Sequence, residues 1–170
     1  MKAKKKLTTR QLAEYGLLVA LAMVLSYVEY LIPFSSAVPG VKLGLANIVV
    51  IFALYRLGPG PAAVISFVRV LLMTFMFGNA FALFYSLSGA VLSLTVMLLL
   101  KKTGKFSPVG VGAAGGVTHN IGQILCAMVV LETEKLAYYL PVLLVSGTLA
   151  GIGIGIVGGI LIKRIDPERV

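Results

Sequence analysis

Thr118-His119-Asn120, followed by Gln123, places a dense polar group inside an otherwise apolar stretch of the chain. On a helix His119 and Gln123 lie four apart and Asn120 lies three before Gln123, so the three form a polar wedge on one face. Such a wedge can line a ligand cavity or bond a neighbouring helix. No second histidine exists to complete a metal site with His119. Arg69 stands near the middle of another apolar run. An arginine there requires an acid, a carbonyl, water or an anionic ligand, because a charged residue at the centre of a membrane helix costs about 2.5–3.5 kcal/mol even on permissive insertion scales. Glu29 is the internal acid expected to meet it. Lys42 and Asn47 fall in Val38 to Arg56, VPGVKLGLANIVVIFALYR, where a short helix starting below the membrane surface would offer backbone N–H groups and Lys42 together as an anion subsite. The alternative is that Lys42 snorkels to the interface while Asn47 clips two helices together. Tyr85, with Phe81 and Phe84, could stack on an aromatic ligand or face lipid. This chemistry is recognition by charge and hydrogen bonding in a wet cavity; no catalytic or metal site is expected.

The elements that must hold these residues are membrane helices. The chain has 170 residues, 59% of them hydrophobic and 12% charged, with a mean hydropathy of +1.01. A soluble domain of that composition could not cover its own surface, so the bilayer is its main solvent. At roughly 20 residues per span the length suits a single domain of six helices with short loops. Punctuation by Pro33, Pro39-Gly40, Gly58 to Pro61, Gly78-Asn79 and Pro108 sets expected spans over residues 11–32, 41–57, 61–77, 80–100, 108–131 and 140–162. The result is a compact all-α six-transmembrane-helix bundle over residues 1–170. Leu7 to Arg10 supplies hydroxyls for the first helix start, and residues 33–39, PFSSAVP, read as a lid or re-entrant turn.

The net charge of +9 is distributed in a way that sets orientation. Lys2, Lys4, Lys5, Lys6 and Arg10 precede the first span, Lys101, Lys102 and Lys105 separate the fourth from the fifth, and Lys163, Arg164 and Arg169 follow the last. Cytoplasmic loops carry such excess lysine and arginine, which makes both termini cytoplasmic and leaves Lys42 and Lys135 outside. Flanking clusters of this kind do not point to nucleic acid. The single cysteine, Cys126, excludes an internal disulfide and a multi-cysteine metal site.

Glycine and other small residues mark close contacts. Gly16 with Ala20 and Ala22 with Ser26 give the first helix small-xxx-small spacing, suited to a neighbour within the chain or on a partner. Gly147, Gly151, Gly155 and Gly159 form a ladder on the sixth, read as a packing seam. The fifth span holds five glycines between Gly110 and Gly122, a composition that only close packing or distortion explains.

The segments VPGVKLGLANIVVIFALY (38–55), FVRVLL (67–72), LFYSLSGAVLSL (83–94) and GGVTHNIGQI (115–124) resemble the Gx transporter family, also labelled heptaprenyl diphosphate synthase component I. That family is similar in size and layout to the S components of energy-coupling factor (ECF) transporters. The resemblance implies capture of a vitamin or other small solute at the outer side and docking on a membrane-embedded coupling subunit bearing ATPases. S components commonly dock through Ala-x-x-x-Ala on the first helix; the nearest equivalents are Gly16/Ala20 and Ala22/Ser26.

A substrate-binding subunit in the cytoplasmic membrane of a prokaryote is therefore expected, with Lys42, Asn47, Arg69, Tyr85, His119, Asn120, Gln123 and Glu29 around the ligand. It would have no intrinsic cofactor, using ATP only through its partner, since no G-x-x-x-x-G-K-[ST] occurs. Two alternatives stand: a non-catalytic membrane component of an isoprenoid or quinone pathway enzyme, and a redox accessory protein holding flavin or quinone. Prenyl synthases hold magnesium on aspartate-rich clusters, whereas this chain has one aspartate, Asp166.

Overall fold

The computed structural model describes residues 7–32 and 44–165. Its elements are helical: α1 (Thr9–Leu31), α2 (Asn47–Arg56), α3 (Pro59–Phe77), α4 (Ala80–Thr103), α5 (Pro108–Val130), a 3₁₀ segment (Glu134–Tyr139) and α6 (Leu140–Ile165). Five of the helices, α1, α3, α4, α5 and α6 with its 3₁₀ lead-in, are long and apolar enough to cross a membrane. The large apolar residues left outside lie on every one of these helices, among them Leu17, Phe75, Leu99, Val129 and Leu149. A belt so distributed needs lipid around the whole circumference, which marks a multi-pass membrane protein.

Local signals set the helix ends. Thr8 and Gln11 form a reciprocal capping box at the start of α1, as the hydroxyl-rich opening suggested. Asn79 caps α4 and Ser107 caps α5 through side-chain oxygens. α3 begins at Pro59 rather than at 61, because a proline in the first turn loses no helical bond. α4 continues to Thr103 and stops at Gly104 in the left-handed conformation.

α2 differs most from expectation. The helix spans ten residues, Asn47 to Arg56, where a span over 41–57 was read. Gly44, at φ +70°, and a turn through Leu45 and Ala46 precede it. Short as it is, α2 is the centre of the core: every residue from Val49 to Tyr55 is buried. It packs mainly on α1, α3 and α6, and the other main helix pairs are α1 with α3, α3 with α4, α4 with α5 and α5 with α6.

The α5–α6 pairing explains the glycines. A methyl group on Gly116 would strike the Gly147 carbonyl, one on Gly151 the Gly112 carbonyl, and one on Gly155 the backbone of Val109. The two helices run antiparallel with their backbones in contact, so the ladder on α6 pairs inside the chain. Another face of α5 meets α4, where Gly115 lies against Met97 and Gly122 against the backbone of Ser88 and Gly89. The hydroxyls of Ser88 and Ser93 donate to the Gly122 and Gly115 carbonyls at 2.9 and 2.8 Å.

Charge gathers at one end of the bundle. Arg56 at the end of α2 pairs with Glu14 near the start of α1 at 3.2 Å. Lys101 near the end of α4 donates to the carbonyls of Leu54 (2.6 Å) and Tyr55 (3.5 Å). The small pairs on α1 face different ways: Gly16 and Ala20 are exposed, with nothing within 4 Å of a methyl added at Gly16, whereas Ala22 is fully buried and Ser26 turns inward.

Candidate functional site

At the end opposite Arg56 and Lys101, a cavity of about 360 Å³ opens above the N-terminus of α2. It exists because α2 is short. Ten residues rise about 15 Å, so the five long helices enclose a volume that α2 fills over only part of its depth. Residues from each of α1 to α6 line it: Ser26, Glu29 and Tyr30 from α1, Asn47 with the preceding Gly44, Arg69, Met73, Thr74 and Phe77 from α3, Ser86 from α4, Gly116, His119, Asn120 and Gln123 from α5, and Gly147, Ala150 and Ile154 from α6.

Glu29 organises the floor. Its Oε1 accepts from the Gly44 N–H at 2.7 Å and its Oε2 from the Leu45 N–H at 3.1 Å. A carboxylate on two N–H groups at a helix start is held by charge-assisted bonds and by the positive end of the helix dipole. The left-handed Gly44 makes the arrangement possible, since it turns consecutive N–H groups toward one point. This corrects one expectation: Glu29 serves α2 rather than forming a direct ion pair with Arg69. The anion subsite expected at Lys42 and the N–H groups beside it falls on residues 41–43, outside the described residues.

Arg69 lines the cavity wall. Its Nη1 donates to Ser26 Oγ at 3.4 Å, and its Nε is buried with no hydrogen-bond partner among the described residues. On the same helix Met73 and Phe77 follow at four-residue intervals and also line the cavity. Ser66, three residues before Arg69, is buried away from the cavity, and Met76 points outward at 60% exposure. Phe77 packs against Tyr27 and Tyr30 with ring centroids 5.3 and 5.4 Å apart, forming an aromatic edge to the mouth.

The wedge on α5 divides its labour. Asn120 is buried and its Nδ2 donates to the Leu143 carbonyl at 2.6 Å, so it binds α5 to α6 while touching the cavity. His119 and Gln123 line the cavity beside it, with Gly89 of α4 packed against both. A side chain on Gly89 would come within 2.8 Å of Gln123 Cγ and 3.0 Å of His119 Cε1. A glycine there lets α4 approach this polar face.

Of the residues singled out from sequence, Glu29, Asn47, Arg69, His119, Asn120 and Gln123 converge on this one space. Tyr85 does not reach it; Ser86 next in sequence does, while Phe81 and Phe84 are exposed. Lys42 and the 33–39 loop lie outside the described residues. Ser26, Tyr30, Gly44, Thr74 and Phe77 were not foreseen as lining. Two of them were within reach, because Ser26 lies three residues before Glu29 and four before Tyr30, helical spacings that put Ser26 beside each of them.

No curated protein and no solved structure matches the chain. A family model described as heptaprenyl diphosphate synthase component I matches residues 18–161, a stretch that takes in α2 to α5, most of α1 and α6 and every lining residue above, and the chain belongs to that family.

Proposed function

We propose that the chain is the solute-binding membrane subunit of an ECF-type transporter, capturing a small molecule in the cavity above α2 and relying on a partner for energy. The observation that carries this reading is the cavity itself: a largely preformed space of about 360 Å³ with converging polar groups and an aromatic rim, within the size range of small-molecule sites. Its position supports the direction of capture. The cavity opens away from the end that holds Arg56 and Lys101, and basic ends face the cytoplasm. In this reading α2 completes a sixth crossing, both termini are cytoplasmic, and the membrane is the cytoplasmic membrane of a prokaryote. The exposed Gly16 and Ala20 of α1 offer a close-approach surface to a coupling subunit bearing the ATPases.

Gentle purification from its own membranes tests this. Copurification with ATPase subunits and a retained small molecule is the expected result. Undiminished uptake of that molecule in cells lacking every such ATPase would count against it.

The family description favours a second reading, a membrane component of a prenyl diphosphate synthase. With a single aspartate, Asp166, the chain lacks the clustered carboxylates that hold magnesium on a diphosphate, so its role there would be to hold a substrate for a catalytic partner. Prenyl synthase activity that disappears on deletion of the chain, with solute uptake unaffected, would select this reading.

A further inference from the structure

We infer that the solute carries an oxyanion, a carboxylate or a phosphoryl group, which seats against Arg69; this rests on the solute-capture reading. The inference comes from the charge inventory of the cavity. Glu29 and Arg69 carry opposite charges into it. The natural expectation is that they neutralise each other, but both oxygens of Glu29 are committed to the Gly44 and Leu45 N–H groups. Its negative charge is thus balanced by the N-terminus of α2. Arg69 is left with one contact at 3.4 Å to a neutral hydroxyl and a buried Nε without an acceptor.

No other described acid can serve. Glu14 pairs with Arg56 at the far end of the bundle. Glu132 and Glu134 sit beyond α5 in and beside the 3₁₀ segment and do not line the cavity. Glu29 shares the cavity but makes no direct ion pair with Arg69, and a guanidinium inside a membrane protein with no acid in contact is costly and marks a ligand pathway or site. Carboxylate and phosphate oxygens match the planar fork of arginine, and bonds to them are short and strong. The cavity has room for such a group with a compact body against Phe77 and Tyr30. A long polyprenyl tail would have to leave the cavity, so a phosphoryl ligand of that kind would place only its headgroup here.

The test uses full-length protein in mild detergent and four probes: benzoate, inorganic pyrophosphate, benzylamine and benzyl alcohol. Thermal shift and calorimetry would be run on the wild type, Arg69→Gln, Arg69→Lys and Lys102→Gln, an exposed change outside the cavity. Binding of benzoate or pyrophosphate by the wild type and by Lys102→Gln, weakened roughly tenfold or more in Arg69→Gln and less in Arg69→Lys, supports the inference. Benzoate alone assigns a carboxylate and pyrophosphate alone a phosphoryl group. Size-exclusion profiles that match the wild type keep the Arg69 variants interpretable; if Arg69→Gln does not fold, the charge of the molecule retained by the wild type decides. A retained solute with no acidic group, or binding of benzylamine or benzyl alcohol without either anion, overturns the inference and leaves solute capture standing. Absence of any retained solute and of any probe binding overturns both.

Discussion

Glu29 on α1 and Lys101 on α4 hold opposite ends of the same helix. The carboxylate takes the N–H groups that lead into α2, and the ammonium takes the carbonyls of Leu54 and Tyr55 at its other end. The signs match the helix dipole, negative at the N-terminus and positive at the C-terminus. A short helix buried in a membrane bundle needs this, because its terminal backbone groups cannot reach water and would otherwise go unsatisfied. Lys101 also lies 4.7 Å from the centroid of Tyr55, so the cation is held by a ring as well as by carbonyls.

Removing either grip should destabilise the fold. Lys101→Met and Glu29→Gln are each expected to cost about 1.5–3 kcal/mol, the range for hydrogen bonds to charged groups. The two sites are about 15 Å apart along α2, so the double variant should show nearly additive losses. Thermal or denaturant unfolding in nanodiscs measures both. A double variant no worse than the singles would mean that the two ends act as one unit.

Gly44→Ala tests the turn that feeds α2. The position has φ +70°, and an added methyl would lie 3.1 Å from Asn47 Nδ2 and 3.2 Å from Ile154 Cδ1. A loss of about 1–2 kcal/mol from the backbone alone is expected, together with weaker retention of any cavity ligand. Gly104→Ala, equally left-handed but with nothing within 4 Å, should lose stability without losing the ligand.

The glycine seam gives a positional contrast. Gly116→Val and Gly151→Val drive a side chain into the opposing backbone and should separate α5 from α6, lowering the unfolding temperature and broadening the size-exclusion peak. Gly16→Val and Gly153→Val, with nothing within 4 Å, should fold as the wild type. Under the transporter reading Gly16→Val should also reduce copurification of the coupling subunit, which separates a docking face from a packing face.

Asn120→Leu removes the bond to the Leu143 carbonyl, and Asn120→Asp leaves an acid facing an acceptor. Interhelical bonds of this kind contribute about 0.6–1.7 kcal/mol in membrane proteins. Asn120→Leu should fall in that range and Asn120→Asp should be worse. Gln123→Leu, outside that bond, is expected to change ligand retention more than unfolding.

Much of this was legible in the chain itself, for a physical reason. The long helices announce themselves because apolar runs, prolines and capping hydroxyls are local signals; α1, expected over 11–32, runs Thr9 to Leu31, and α4 starts at Ala80 as read. The polar residues in apolar runs led to the cavity because a membrane interior leaves them few other places. What sequence could not reveal was pairing. Glu29 looked like the partner of Arg69 by charge, yet the turn at Gly44 brings two N–H groups closer to it. Lys101 looked like one more orientation charge in a basic loop, and only the packing of α4 beside α2 makes it a cap. Tyr85 was one residue out of register, since its neighbour Ser86 faces the cavity.

The brevity of α2 has a consequence for how the chain is made. At ten residues it falls well short of the roughly 20 that cross a bilayer unaided, so the insertion machinery has little reason to hold it in lipid on its own. Its walls are α1, α3 and α6, and α6 is the last of these three to be synthesised. The core around α2 is therefore seated only after α6 arrives, and a nascent chain truncated before Leu140 should leave residues 44–57 reachable by aqueous thiol reagents at positions that the chain with α6 protects.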